Sequence, residues 1–313
     1  NNAYEALTKL PGVKETKGAL TLAGTGNLTV VLNGKPTTMD AGQLEMLLRN
    51  TPLDRVEKAE VMYSAPPEYH VRGAVINIVL KRSNDYSFQG EVNADYTNQY
   101  FNGGGANGNF RFSTPKMAID VMYGANDVKK MEYMDLYSRH TLKNQIYDIR
   151  QNEQLRMKYW NHNLRTAFEY NLDDEDHFNL AYTSSFTPEQ HSNSLTSGNY
   201  QASNVDKYVR MHNVTLQYHS GSGFDVGGDY KHYTSDNNQT LFADYADGAQ
   251  SGFSIIGGQK IDRYSIYVDR KRSLAKEWDL GYGMSYRFAK DRDFQTYDKV
   301  TGDIPTENTD SRL

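Results

Sequence analysis

The chain has 313 residues, a formal net charge of -5 and 38% hydrophobic residues, with a mean hydropathy of -0.75. A helical membrane span needs about 20 mostly apolar residues. None exists here, because the longest apolar stretches, residues 74–76 and 78–80, are broken by Asn77. The absence of cysteine excludes disulfide scaffolds, cysteine zinc sites and thiol nucleophiles. Residues 1–10 have neither the basic start nor the apolar core of a signal peptide. Tyrosine is the unusual residue, 24 copies against 12 Phe and 2 Trp, and 21 of them follow Lys81.

Charge and composition both divide the chain near Arg82-Ser83-Asn84. Residues 1–82 carry ten Lys/Arg and eight Asp/Glu, a net of +2, and the remainder carries 24 and 31, a net of -7. Neither part has the clustered basic face that nucleic-acid binding wants. The two parts attract each other modestly.

The first part reads as a small α/β unit. Asn2 and Glu5 form a capping box ahead of a short helix that stops at Pro11-Gly12. Residues 28–32 (LTVVL) are a strand closed by the turn pair Asn33-Gly34. Asp40 and Gln43 cap a second helix with a Leu44, Leu47, Leu48 stripe, ending near Pro52. Residues 56–63 and 74–81 are strands flanking the loop 64–73.

From Tyr86 onward a period of two sets in, with nine candidate strands. Phe88, Gly90, Val92, Ala94 and Tyr96 alternate with Gln89, Glu91, Asn93 and Asp95. The pattern recurs at 164–172, 178–183, 213–218, 224–231 and 279–288, always apolar on one face and polar or glycine on the other. In the last of these, Leu280, Tyr282, Met284, Tyr286 and Phe288 form the apolar face. Short turns fall at 114–116, 173–176, 221–223 and 273–277, and longer connections are expected at 191–204 and 242–251. Short turns at one end, long loops at the other and aromatics beside the short turns fit an outer-membrane barrel better than a soluble sandwich. Nine strands cannot close an even-numbered barrel, and lipid tolerates no open edge. The chain is therefore expected to be part of a longer polypeptide.

Four stretches, Leu7-Thr8-Lys9-Leu10-Pro11-Gly12-Val13, Val30-Val31-Leu32-Asn33-Gly34-Lys35-Pro36, Val56-Glu57-Lys58-Ala59-Glu60-Val61 and Gly73-Ala74-Val75-Ile76-Asn77-Ile78-Val79-Leu80-Lys81, resemble in order and spacing the plug domain of TonB-dependent outer-membrane receptors. The region after residue 82 resembles, by pattern, the barrel start of that family in Bacteroidota. The resemblance implies a partial membrane β-barrel, antiparallel and of the 22-stranded type, with a small N-terminal α/β plug in its lumen. Residues 1–82 would be the plug, incomplete at its N-terminus, and 83–313 the first nine or so strands, incomplete at the C-terminus. It also implies import of a scarce ligand (siderophore, glycan or peptide) across the outer membrane of a Gram-negative bacterium. TonB, engaging a segment upstream of Asn1, outer-membrane lipid and a surface lipoprotein would be the partners. Two departures stand out. The nine candidate strands fall short of a complete barrel, and Pro66-Pro67 replaces the Gly-Pro common in that loop.

Catalytic chemistry is not legible, and no enzyme, cofactor or metal site is expected. The eight histidines lack ligand spacing. Asp173-Asp174-Glu175-Asp176 reads as a polar turn without EF-hand spacing. Gly103-Gly104-Gly105 reads as a hairpin tip, since no helix or Lys-Ser/Thr follows as a phosphate loop requires.

By the resemblance, loops 66–72 and that after Asn33-Gly34 point into a ligand chamber. Tyr69 is then the leading ligand contact, with Glu68, His70, Thr37 and Thr38 behind it. The plug and barrel are expected to meet through ion pairs. Arg55, Arg72 and Arg82 are the cations, because guanidinium clamps carboxylates bidentately, and Glu91, Asp95, Asp225, Asp229 and Asp279 are the lumen carboxylates. Two other function classes stay open: a plugged barrel for secretion, adhesion or surface assembly, and a soluble β-rich binding domain or glycan-processing enzyme.

Overall fold

The computed structural model describes residues 2–16, 19–25, 28–36, 41–49, 51–81, 85–98, 100–173, 175–197, 200–244, 248–275, 278–302 and 306–313. It contains a small α/β unit followed by one large antiparallel sheet.

Helix α1 (Ala3–Thr8) starts as its sequence dictates: the Asn2 side chain accepts the Glu5 N–H at 2.9 Å, and the Asn2 amide reaches back to Glu5 Oε1 at 3.5 Å. Gly12, at φ +81°, turns the chain into the hairpin β1 (Val13–Thr16) and β2 (Ala19–Leu22). Strand β3 (Leu28–Leu32) turns at Asn33 and Gly34, both with positive φ, into β4 (Lys35–Pro36). That is the Asn-Gly two-residue hairpin turn, which needs left-handed backbone at both positions. Helix α2 (Ala41–Arg49) leads to β5 (Val56–Met62) and β6 (Ala74–Leu80), and the sheet order is β4-β3-β6-β5.

β6 is central and pairs parallel with β3 and antiparallel with β5. Its residues 74–78 are all buried, which is why they are apolar apart from Asn77. Ile76 and Ile78 pack with Ala3, Tyr4, Leu7, Val13, Leu22, Val30 and Leu48. Full burial of each such side chain is worth about 1.5–3 kcal/mol.

Asn77 interrupts this run because it is a connector. Its amide donates to Glu60 Oε2 at 2.9 Å and to the Tyr69 hydroxyl at 3.1 Å, while its carbonyl oxygen accepts the Gly34 N–H at 2.8 Å. Three loops and strands are tied to one buried side chain.

The large sheet comprises β7 (Ser87–Asn98), β8 (Asn102–Ser113), β9 (Met117–Leu142), β10 (Gln145–Asn171), β11 (His177–Ser197), β12 (Tyr200–His219), β13 (Phe224–Asp244), β14 (Gln250–Ala275), β15 (Trp278–Thr301) and β16 (Thr309–Arg312). Each strand pairs with its neighbours in sequence, so the sheet is a meander with β7 and β16 at its edges, and it is not closed among the described residues.

Two sequence expectations are corrected here. The stretches 191–204 and 242–251 are not long loops. Their residues mostly continue β11 to β14, so the far end of the sheet is built of strands that outrun the turn-proximal part. Between β9 and β10 only Lys143 and Asn144 intervene, both with positive φ. Ser, Thr and Asn on both faces sustain pairing in water, and the sequence resembles a loop only in composition. Residues 103–105 are likewise not a hairpin tip but the start of β8. A Cβ at Gly104 would lie 2.4 Å from the Asp95 carbonyl oxygen, so close backbone approach explains the glycine there.

The alternation sorts residues onto two faces. One carries Phe110, Val121, Phe168, Leu180, Leu216, Val226, Ile266 and Met284, strand after strand. Many of these are well exposed, Ile266 at 62% and Met284 at 76%, as is Phe88 of β7 on the same face at 72%. Contiguous apolar exposure across nine strands far exceeds the largest patch of a typical soluble monomer. The opposite face carries Arg111, Asp120, Glu169, Asp269 and Arg287, and the α/β unit sits against it.

Candidate functional site

Between the α/β unit and the inner sheet face lies a cavity of about 1540 Å³, lined from both sides. The α/β unit contributes Arg55, Tyr69, His70 and Asn77, and the sheet Arg165 and Asp225 among others. The volume exceeds that of ordinary small-molecule pockets. Its walls are polar and charged, and two contact clusters bound it.

The first cluster lies near the short-turn end. Cross-strand register sets Arg111 of β8 opposite Asp120 of β9, and they pair directly. The second guanidinium arm of Arg111 donates to Glu169 of β10 at 3.1 Å. Arg55 of the α/β unit brings a further guanidinium to Asp120 at 3.7 Å. Arg165, four residues before Glu169 and on the same face, also lines the cavity. Arg55 loses hold on its proton relative to an ordinary arginine, first through burial and then through the positive charge of Arg111; Asp120 and Glu169 oppose this.

The second cluster holds the loop after β5. Pro66 and Pro67 open a 3-10 turn over Pro67–Tyr69, closed by the His70 N–H donating to the Pro67 carbonyl at 3.0 Å. His70 ends the turn in the left-handed region at φ +53°. This directs its ring at β14, where Nε2 lies 2.6 Å from Asp269 Oδ2 and the ring sits 5.1 Å from that of Tyr267. Arg287 of β15 donates to the His70 carbonyl at 3.1 Å.

The expected site residues divide as follows. Tyr69 borders the cavity, but its hydroxyl accepts from Asn77 and its ring packs on Gly34, where a Cβ would meet it at 3.1 Å. Thr37, Thr38, Arg82 and the Glu68 side chain lie outside the described residues. Arg72 is exposed and has no carboxylate at ion-pair distance among the described residues. Glu91 and Asp95 are exposed on β7, and Glu91 accepts from Asn93.

The other three carboxylates are engaged within the sheet: Asp225 with His219 at 2.9 Å, Asp229 with Arg263 at 3.7 Å and Asp279 with Lys271 at 3.5 Å. In-sheet neighbours at cross-strand spacing reach them before the α/β unit does. Of the three expected cations Arg55, Arg72 and Arg82, Arg55 alone makes a described ion pair between the unit and the sheet, and its partner is Asp120.

Asp120 and Asp269 were not anticipated. The available signal was a charged residue on the inner face of a strand flanked by apolar ones, as in Phe110-Arg111-Phe112 and Ile119-Asp120-Val121.

Asp173 accepts the N–H groups of Glu175 and Asp176, and Asp176 accepts from the Gly221 N–H and the Tyr218 hydroxyl, as in a polar turn. Among the described residues no group of three or more His, Asp or Glu is placed to hold a metal ion.

Neither a protein-family model nor a curated protein matches the sequence. Among solved structures, the chain is similar to the ferric yersiniabactin uptake receptor FyuA from Yersinia pestis. The TM-score is 0.51 at 13% identity, over 100% of this chain and 58% of that one. The fold is shared. Weaker likenesses are to the ferric citrate transporter FecA in its unliganded form (TM-score 0.43, 11% identity, 100% and 57% covered) and the alcaligin outer membrane receptor FauA from Bordetella pertussis (0.33, 10%, 100% and 55%). The chain thus spans less than two thirds of the length of each of these structures. No helix among the described residues is long and apolar enough to cross a membrane.

Proposed function

We propose that the chain is part of a TonB-dependent receptor in the outer membrane of a Gram-negative bacterium. The α/β unit is its plug, and the meander sheet is one wall of its barrel. One relationship carries this reading: a polar α/β unit rests on the charged face of a sheet whose opposite face exposes an unbroken apolar belt. Lipid would cover that belt, and the plug would obstruct the lumen. The order of the four sequence motifs and the fold shared with an uptake receptor support the same reading.

The activity proposed is import of a scarce polar ligand, a siderophore, glycan or peptide, driven by TonB. The plug–wall contacts suit such a device. Those made by the described residues Arg55 and His70 involve charged or polar groups and flank a large cavity, so the plug is held yet can shift without exposing an apolar core.

Expression of the whole receptor gene in a Gram-negative host tests it. The protein should fractionate with the outer membrane, require detergent for extraction and support uptake that ceases when TonB is removed. Extraction by salt or buffer alone would overturn the membrane reading. Membrane residence with TonB-independent function would favour secretion or adhesion instead.

A further inference from the structure

Above the apolar belt, on the same outer face, the cross-strand register builds two polar rows on β12–β16. The uppermost aromatic row is Val214, Tyr230, Tyr264 and Phe288. Two residues further from the short turns comes His212, His232, Asp262 and Lys290, and two further still Arg210, Thr234, Lys260 and Arg292, with Arg312 opposite Arg292. On β7–β11 the same two rows hold Val92, Gly108, Tyr123, Leu164 and Ser184, then Ala94, Ala106, Ala125, His162 and Phe186. No lysine or arginine occurs among those ten, so the cationic patch belongs to one side of the sheet.

The nearby carboxylates are mostly committed. Asp262 accepts from the Tyr230 hydroxyl at 2.9 Å and meets His232 at 2.7 Å. Asp310 is shared by Arg292 and Arg312. Asp236, one row further out, lies against Gly258. Arg210, Lys260 and Lys290 are exposed and have no carboxylate at ion-pair distance among the described residues. Five cations thus face three carboxylates.

We propose that this patch binds the phosphate-bearing head group of a lipid in the leaflet at that edge of the belt. The inference rests on the membrane reading above. Successive rows are about 7 Å apart, so acyl chains lying on Tyr264, Ile266 and Phe288 bring a head group level with Lys290, Lys260 and Arg210. Long basic side chains extend along apolar surface and place their charge at such an interface. Guanidinium matches phosphate bidentately, and ammonium adds a compact charge. A free anion in water would gain nothing from the belt, whereas a lipid engages both.

The test uses the whole receptor, purified in detergent and titrated with diphosphorylated lipid A or its dephosphorylated form, with bound lipid counted by native mass spectrometry. Wild-type protein should retain the phosphorylated lipid at least tenfold more than the dephosphorylated one. The variant R210Q/K260Q/K290Q should lose that preference, and the charge-matched variant K9Q/K14Q/K116Q should keep it. Equal retention of both lipids by wild type, or an undiminished preference in the first variant, overturns the proposal. So does displacement of lipid by millimolar inorganic phosphate, which would mark a soluble-anion site. Should the triple variant fail to fold, the single reversal K260E must reduce the preference at least threefold. Failure of the membrane reading itself would show separately, as protein that stays in solution without detergent.

Discussion

His70 Nε2 and Asp269 Oδ2 lie 2.6 Å apart although 199 positions separate them in sequence. Both side chains are more than four-fifths buried, and the pair ties the loop after β5 to the sheet wall. D269N keeps the volume and removes the charge. It is expected to weaken the seating of that loop by about 1–3 kcal/mol. Hydrogen exchange in the membrane-inserted receptor reads this directly: residues 66–72 should exchange several-fold faster while β6 is unaffected. Unchanged exchange in the loop would show that the pair holds nothing.

Asn77 is 3% exposed and serves three partners at once. N77L preserves its size but leaves the Gly34 N–H and the Tyr69 hydroxyl without that partner. A cost of about 1–3 kcal/mol is expected in denaturant unfolding of the α/β unit. A stabilised variant would mean that the apolar run around Asn77 was the stronger preference.

Glu60 gives the α/β unit a dependence on acid. Its carboxyl is held below the ordinary range, first by the Lys58 ammonium and then by the Asn77 amide. The folded carboxyl therefore titrates below the unfolded one. Its stabilisation is complete above the unfolded value and is lost as pH falls through the lowered folded value. Unfolding curves between neutral pH and pH 3 should show an acid limb that E60Q flattens; an identical limb in E60Q would assign it to other carboxylates.

Met284 lies in the middle of the exposed apolar face of β15, between Tyr282 and Tyr286. With lipid on that face, M284R should cost about 2–4 kcal/mol if the site is near the bilayer midplane. M284L should be close to neutral. Refolding into vesicles with thermal readout measures both, and equal stability of the two variants would place that face in water.

Much of this architecture is legible because short-range chemistry dictates it. Asn2 with Glu5 caps α1, and Asn33-Gly34 makes the tight turn after β3. The alternation through Met284 sorts each strand onto two faces, because successive strand side chains point to opposite sides. The far ends of β11 and β12 were hidden, since Ser, Asn and Thr suit both a loop and a strand exposed on both faces.

The contacts of the site were harder to read. Arg55 was foreseeable as a cation facing acid, but its partner Asp120 depends on how the α/β unit is rotated against the sheet, which no local pattern encodes. Tyr69 seemed poised for a ligand by residue type. Its hydroxyl went to Asn77, whose value as a hub appears only once β3, β5 and β6 are assembled.

The β9–β10 hairpin carries one further consequence. Above Tyr123 and Leu164 it continues for about 19 residues per strand, roughly 60 Å along the strand direction, to a turn of only Lys143 and Asn144. Whatever approaches from that side first meets an ordered ladder rather than pliable loops, so little conformational entropy remains to be lost on capture. Such a ladder also restricts how it can diverge. A single inserted residue would invert every side chain beyond it. Substitutions, and length changes made in matched pairs across the hairpin, are the alterations it can absorb.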